Sequence, residues 1–180
     1  MIKLLDLSDK AKSILTDTYP IRKEWDNENF IEAYGNVILK QGDTINMTSK
    51  YIEYSGITEF AFASGDVILK DELMILKTDT LYFDREKQHL FYKSGGTIKD
   101  TTNLLKSKIG NYYLQTNKFQ AFNKVDVTNK DSKLISDHLD YYTSTGIAEL
   151  YGPSTITSEE NAIYTEKGHH NTKTKSLTTT

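Results

Sequence analysis

The chain has 180 residues, 37% of them hydrophobic, and its 22 basic and 25 acidic side chains leave a net charge of −3. That balance lacks the basic field that collects nucleic acid through counterion release, so no nucleic-acid partner is expected. The absence of cysteine excludes a disulfide framework, a thiolate metal site and a cysteine nucleophile, and leaves the compartment open.

The opening Met1-Ile2-Lys3-Leu4-Leu5-Asp6-Leu7 reaches Asp6, Asp9 and Lys10 before an apolar run of about 7–15 residues can form, so the chain as written reads without a signal peptide. No stretch approaches the roughly 20 apolar residues of a spanning helix, and no membrane-spanning segment is expected. From Ala11 to Glu28, Ile14, Thr16-Asp17 and Thr18 echo a motif that recurs downstream, while Pro20 and the lone Trp25 have no counterpart. Residues 1–29 therefore read as a degenerate N-terminal cap or partial repeat.

Beyond residue 30 a hydroxyl followed by a charge returns at a fixed step of 29 residues: Ser49-Lys50, Thr78-Asp79, Ser107-Lys108, Ser136-Asp137 and Thr165-Glu166. Two positions earlier sit Met47, Leu76, Leu105, Leu134 and Ile163. A period of this length marks an array of supersecondary units, so residues 30–177 form one elongated repeat domain and 178–180 a tail.

Three and five positions after the hydroxyl come Ile52 and Tyr54, Leu81 and Phe83, Gly110 and Tyr112, Leu139 and Tyr141, separated mostly by polar residues. This alternation is the period-2 signature of half-buried strands. The second half of each unit repeats as well: Phe30 to Lys40 recurs as Phe60 to Lys70, with weaker copies at Leu90 to Lys99, Phe119 to Thr128 and Ala148 to Thr157. Polar stretches such as Ser55-Gly56, Arg85 to Gln88, Asp100 to Asn103, Asn129 to Asp131 and Ser144 to Gly146 carry turn chemistry. One unit is thus two strands and two short turns.

Each strand is punctured near its middle, by Gly35, Gly65, Gly95-Gly96, Asn123-Lys124 or Gly152-Pro153 in one half and by the hydroxyl–charge pair in the other. Such residues weaken a ladder and favour bends, which predicts a folded-over sheet of stacked, bent hairpins. Its inside is expected to hold Met47, Ile52, Tyr54, Phe60, Phe62, Val67, Leu69, Leu76, Leu81, Phe83, Leu105, Tyr112, Phe119, Leu134, Leu139 and Tyr141. Apolar stripes are ordinarily core, so the pattern by itself predicts side chains that fill one another's space.

Near the end, Thr165-Glu166-Lys167-Gly168-His169-His170 aligns with the unit that starts at Ser107, and the last unit reads as cut short. An array ending this way offers a strand edge to another chain, with a frayed tail as the alternative. The four histidines, His89, His138, His169 and His170, lack partners at metal-ligand spacing, and His169-His170 reads as a solvated tail. No phosphate-cradling loop and no nucleophile elbow is present, and Glu159-Glu160 is a pair that 25 acids supply by chance. Neither a metal, a cofactor nor an enzymatic activity is expected. Asn46-Met47-Thr48 fits a glycosylation sequon, but its Met faces inward, and the basic residues from Lys167 to Lys175 read as solvated.

The phrases Ala33-Tyr34-Gly35-Asn36-Val37-Ile38-Leu39, Ala63-Ser64-Gly65-Asp66-Val67-Ile68-Leu69, Thr78-Asp79-Thr80-Leu81-Tyr82-Phe83-Asp84 and Ser136-Asp137-His138-Leu139-Asp140-Tyr141-Tyr142 alternate along the chain. Their alternation resembles the OstA-like family, the lipopolysaccharide transport protein A type, from about Phe30 to Ser176. The chain looks most like the longer OstA-like proteins of the Bacteroidetes kind, of which it would be a fragment. The resemblance implies an all-β fold, a bent antiparallel β-jellyroll open along one side, in the periplasm. It implies a bridge for lipopolysaccharide or a similar lipid on its way to the outer membrane, with acyl chains in the apolar trough formed by the inward residues. It also implies end-to-end stacking through terminal strands, on other jellyroll components or on a second copy. The competing reading is a ligand-free β-solenoid that polymerises by its strand edges.

Overall fold

The computed structural model describes residues 30–41, 45–174 and 176–179; the N-terminal cap read from the sequence lies outside them. In chain order the strands are β1 (Phe30–Gln41), β2 (Ile45–Ser55), β3 (Phe60–Lys70), β4 (Ile75–Asp84), β5 (His89–Tyr92), β6 (Gly96–Lys99), β7 (Leu104–Ser107), β8 (Ile109–Tyr113), β9 (Lys118–Thr128), β10 (Ser132–Tyr142), β11 (Ile147–Ser158), β12 (Ala162–Asn171) and β13 (Ser176–Thr179). All pair antiparallel in one 13-stranded sheet. The all-β, bent, repetitive architecture expected from the alternation is the one observed.

The two punctures of the sequence pattern turn out to be register partners. Gly35-Asn36 faces Lys50, because Tyr34 pairs with Tyr51 and Val37 with Ser49. In the same way Gly65-Asp66 faces Asp79, Asn123-Lys124 faces Asp137, and Gly152-Pro153 faces Glu166. Two residues against one make a β-bulge, which bends the strand and increases its twist. Gly65 adopts φ +77°, and a Cβ there would come within 2.8 Å of the Lys50 Cβ, so the close approach and the backbone both select glycine.

At every corner the charge stays outside and the hydroxyl turns inward: Ser49, Thr78, Ser107, Ser136 and Thr165 are all buried. Four of them donate to the carbonyl two residues on, Thr78 to Thr80 at 3.1 Å, Ser107 to Ile109 at 3.0 Å, Ser136 to His138 at 3.0 Å and Thr165 to Lys167 at 2.8 Å. Leaving a bent strand's carbonyl buried and unpaired is costly, and the hydroxyl satisfies it. Ser49 departs from this, since its Oγ is buried with no partner.

The turns form two rims. One carries Asp71, Asp100 and Asn129, again 29 residues apart, each accepting backbone N–H groups two and three residues on through its side-chain oxygen. The other ends each turn on a residue with positive φ: Glu59, Gln88, Asn117 and Gly146. Between the rims the sheet encloses a single apolar cluster to which every hairpin contributes.

The third hairpin is interrupted. Where neighbouring hairpins have continuous strands, the chain leaves the ladder at 93–95 and at Lys108, so β4 pairs with both β5 and β6, and β9 with both β7 and β8. Here Gly110 occupies the place of Ile52, Leu81 and Leu139. Its missing side chain is replaced by rings: a Cβ at Gly110 would lie 2.5 Å from both Phe119 Cζ and Tyr92 Cε1. Tyr92 is fully buried and shares a 2.7 Å hydrogen bond with Ser107 Oγ, and burial pushes its pKa up to about 12.

Gly110→Leu, which restores the repeat's own consensus, overpacks the third hairpin and lowers stability by about 1–3 kcal/mol, read from the urea midpoint. Ser136→Ala removes a corner bond and costs about 1 kcal/mol in the same assay, whereas Ser49→Ala, which breaks no bond, leaves the midpoint within error.

Candidate functional site

The inner face is the only surface that all the hairpins share by design, because bulge and hydroxyl together keep the alternation in phase across each corner. Fourteen of the expected inward residues are buried in the central cluster: Met47, Ile52, Tyr54, Val67, Leu69, Leu76, Leu81, Phe83, Leu105, Tyr112, Phe119, Leu134, Leu139 and Tyr141. Their exposures run from 0% at Val67 and Leu139 to 8% at Met47, so the lining packs against itself.

Phe60 and Phe62 are corrected. Both lie half-buried on the outer face, and Ala61 and Ala63 point inward in their place. The 29-residue step aligns Ala61 with buried Leu90, Phe119 and Ala148, whereas aligning Phe60 with Phe119 by side-chain type slips the strand by one residue. A slip of one exchanges the two faces of a strand. On the outside the rings belong to a cross-strand aromatic row: Phe62 lies 6.2 Å from Tyr51 and 5.0 Å from Tyr82, which stacks on Phe91 at 4.9 Å. Such pairs hold adjacent strands together. Ile163, the last member of the position shared by Met47 and Leu134, is likewise exposed. Inner residues that the sequence reading passed over include Ile31, Val37, Tyr92, Ile98, Val125 and Leu150, all legible from the same fixed step.

The mouth between the rims is crossed by side chains, with no strand ladder joining the rims among the described residues. Tyr141, at the second rim, donates to Asp100 Oδ2 at 2.6 Å on the first. Asn103 Nδ2 donates to Tyr141 Oη at 2.9 Å and to Thr172 Oγ1 at 3.2 Å, and Asn129 Nδ2 donates to Asn103 Oδ1 at 3.3 Å. Thr172 in turn donates to the Gly146 carbonyl at 2.9 Å. Asn103 and Thr172 are buried, so this polar network closes the trough over its middle. Burial alone would raise the Asp100 pKa, but the bonds from Tyr141, from the Thr102 and Asn103 amides and from the Asn103 side chain outweigh it and hold the carboxyl below its usual range. Burial together with the Asp100 carboxylate pushes the Tyr141 hydroxyl up.

Towards the C-terminal strands a cavity of about 500 Å³ opens, with Ile156, Ala162, Ile163 and Leu177 among its apolar walls and Lys130, Ser132 and Asn161 among its polar ones. His170 also lines it, and burial lowers its pKa, which keeps the ring neutral near pH 7. Among the described residues no cluster of acids and histidines is arranged to hold a metal ion, and no helix is long and apolar enough to cross a membrane.

A bent antiparallel sheet wrapped around an apolar lining defines the class of β-jellyroll proteins. Residues 20–137 match the family model for OstA-like proteins, and the chain belongs to that family. Among solved structures, the chain is similar to LptH of Pseudomonas aeruginosa, described as the LptA-homologous periplasmic component of the lipopolysaccharide transport device. The TM-score is 0.55 at 13% identity, covering 59% of this chain and 81% of that one, a likeness of fold. No curated protein matches.

Because the folded-state pKa of Asp100 is depressed, the stability it contributes is fully present above its unfolded value, about 3.9, and is lost as pH falls through the lower folded value. Asp100→Asn is therefore less stable than the parent at pH 7, and the gap between their thermal midpoints narrows to nothing in strong acid.

Proposed function

We infer that this protein is a non-catalytic periplasmic carrier, a segment of a bridge along which lipopolysaccharide or a similar lipid passes to the outer membrane. The observation that carries the reading is the continuous apolar lining, rebuilt by each hairpin at the same step, in an OstA-like chain whose fold is like that of a periplasmic transport component. Acyl chains transferred from water to such a lining gain roughly 25 cal/mol per Å² of apolar surface, spread along the trough rather than concentrated at one contact. Near-identical hairpins give a chain displaced by one unit a similar environment, which keeps sliding easy.

Since the lining packs on itself, a lipid enters either by parting the rims or from the open end, where the cavity beside Ile156 and Leu177 already offers an apolar wall. The outer edges of β1 and β13 have no strand partner among the described residues, and pairing there with another jellyroll component or a second copy would continue the trough. The filled interior favours one second reading, a ligand-free β-solenoid that assembles by those edges.

A photocrosslinking amino acid at Leu81, Phe83 or Tyr112 is expected to capture lipopolysaccharide in cells, whereas one at Phe62 or Glu53 on the outer face is not. Equal labelling of both sets removes the trough. Native mass spectrometry separates the second reading: a bare polypeptide that polymerises with concentration, free of co-purifying lipid, supports the solenoid.

A further inference from the structure

The half of the sheet between the corners and the first rim has an outer face of one charge. Six exposed lysines stand on it, Lys40, Lys70, Lys77, Lys99, Lys106 and Lys133. Register places them in two rows. Lys40, Asn46, Lys70, Ile75, Lys99, Leu104, Thr128 and Lys133 follow one another across the strands, and Ile38, Thr48, Ile68, Lys77, Thr97, Lys106, Asp126 and Ile135 run beside them. The single acid in these rows, Asp126, pairs with Lys133 at 2.9 Å. The face is therefore strongly positive on a chain whose net charge is −3. Acids of this half sit in its turns, where Asp71 and Asp100 are engaged in capping.

Between the lysines stand aliphatic side chains, and Ile38 and Ile135 are each 43% exposed. Cations interleaved with short aliphatics match an anionic lipid surface, where ammonium groups meet phosphates and apolar tips enter the headgroup boundary. A second copy of the chain offers a poorer match. The carboxylates on the other outer face are already occupied, Asp84 by Lys87 at 2.6 Å, Asp140 by Lys118 at 3.2 Å, and Glu53 by the Tyr51 hydroxyl at 2.6 Å.

From this charge complementarity we propose that the lysine face docks the protein on the anionic surface of a phospholipid bilayer, with the aromatic face turned away. The contact uses the outside of the sheet and holds whether or not the interior carries lipid.

The test is co-sedimentation of the full chain with phosphatidylglycerol or phosphatidylcholine vesicles. The protein is expected to partition onto phosphatidylglycerol, to release at high salt, and to ignore phosphatidylcholine. The triple variant Lys70→Glu, Lys77→Glu, Lys99→Glu is expected to lose roughly a hundredfold in partitioning, while the charge-matched Lys93→Glu, Lys108→Glu, Lys167→Glu, placed elsewhere on the sheet, keeps substantially more of it. If the charge reversals fail to fold, Lys→Gln at the same positions gives the same ordering. Absence of anionic preference, equal losses in both triples, or a self-association abolished by the first triple without any vesicle binding each overturns the proposal.

Discussion

The structure depends on one arrangement, the corner in which a two-residue bulge faces a single charged residue while a buried hydroxyl from the same strand closes the bend. A flat sheet with this sequence would leave its apolar face open to water. The bulge folds it, and folding is tolerable because Thr78, Ser107, Ser136 and Thr165 supply donors to carbonyls that the bend takes out of the ladder. The step of 29 residues is thus a spacing between corners. Selection for a hydroxyl at each corner also explains the charge that follows it, since that residue has only solvent to face.

Two consequences follow for the interior. Keeping alternation in phase through every corner places Met47 and Ile52, Leu76 and Leu81, Leu134 and Leu139 on the same side although three or more residues separate members of each pair, so both walls present apolar groups to one another. The aromatic position near the second rim also receives a polar tip: Tyr141 has its ring in the cluster and its hydroxyl in the network with Asp100 and Asn103. A residue with an apolar body and a hydrogen-bonding end suits the boundary between a greasy lining and a wet mouth.

Most of the fold was legible in the chain because the repeat reports the same physics several times over. Strand class, the bends, the turn residues and most of the inner set follow from a fixed step and a period of two. The misreading of Phe60 and Phe62 has a physical origin: side-chain size was allowed to outrank phase, and small Ala61 and Ala63 hold the inner positions of β3. Gly110 could not be understood from its own strand, since the ring that fills its place comes from Tyr92, and the rim-to-rim network joins turns that local sequence cannot show to be neighbours. The lysine rows were equally hidden, because their members are polar residues whose common side emerges only once the register is known.

The broken third hairpin has a mechanical meaning. Elsewhere each junction between neighbours is a continuous ladder running around the corner, but there the two walls are separate short ladders, β5 with β8 and β6 with β7. Tension applied across the stack from its outermost strands passes through every junction in series, and a series yields at its least continuous member. The molecule accordingly has a built-in crease, and the walls on either side of it can pivot while the corners above and below stay shut.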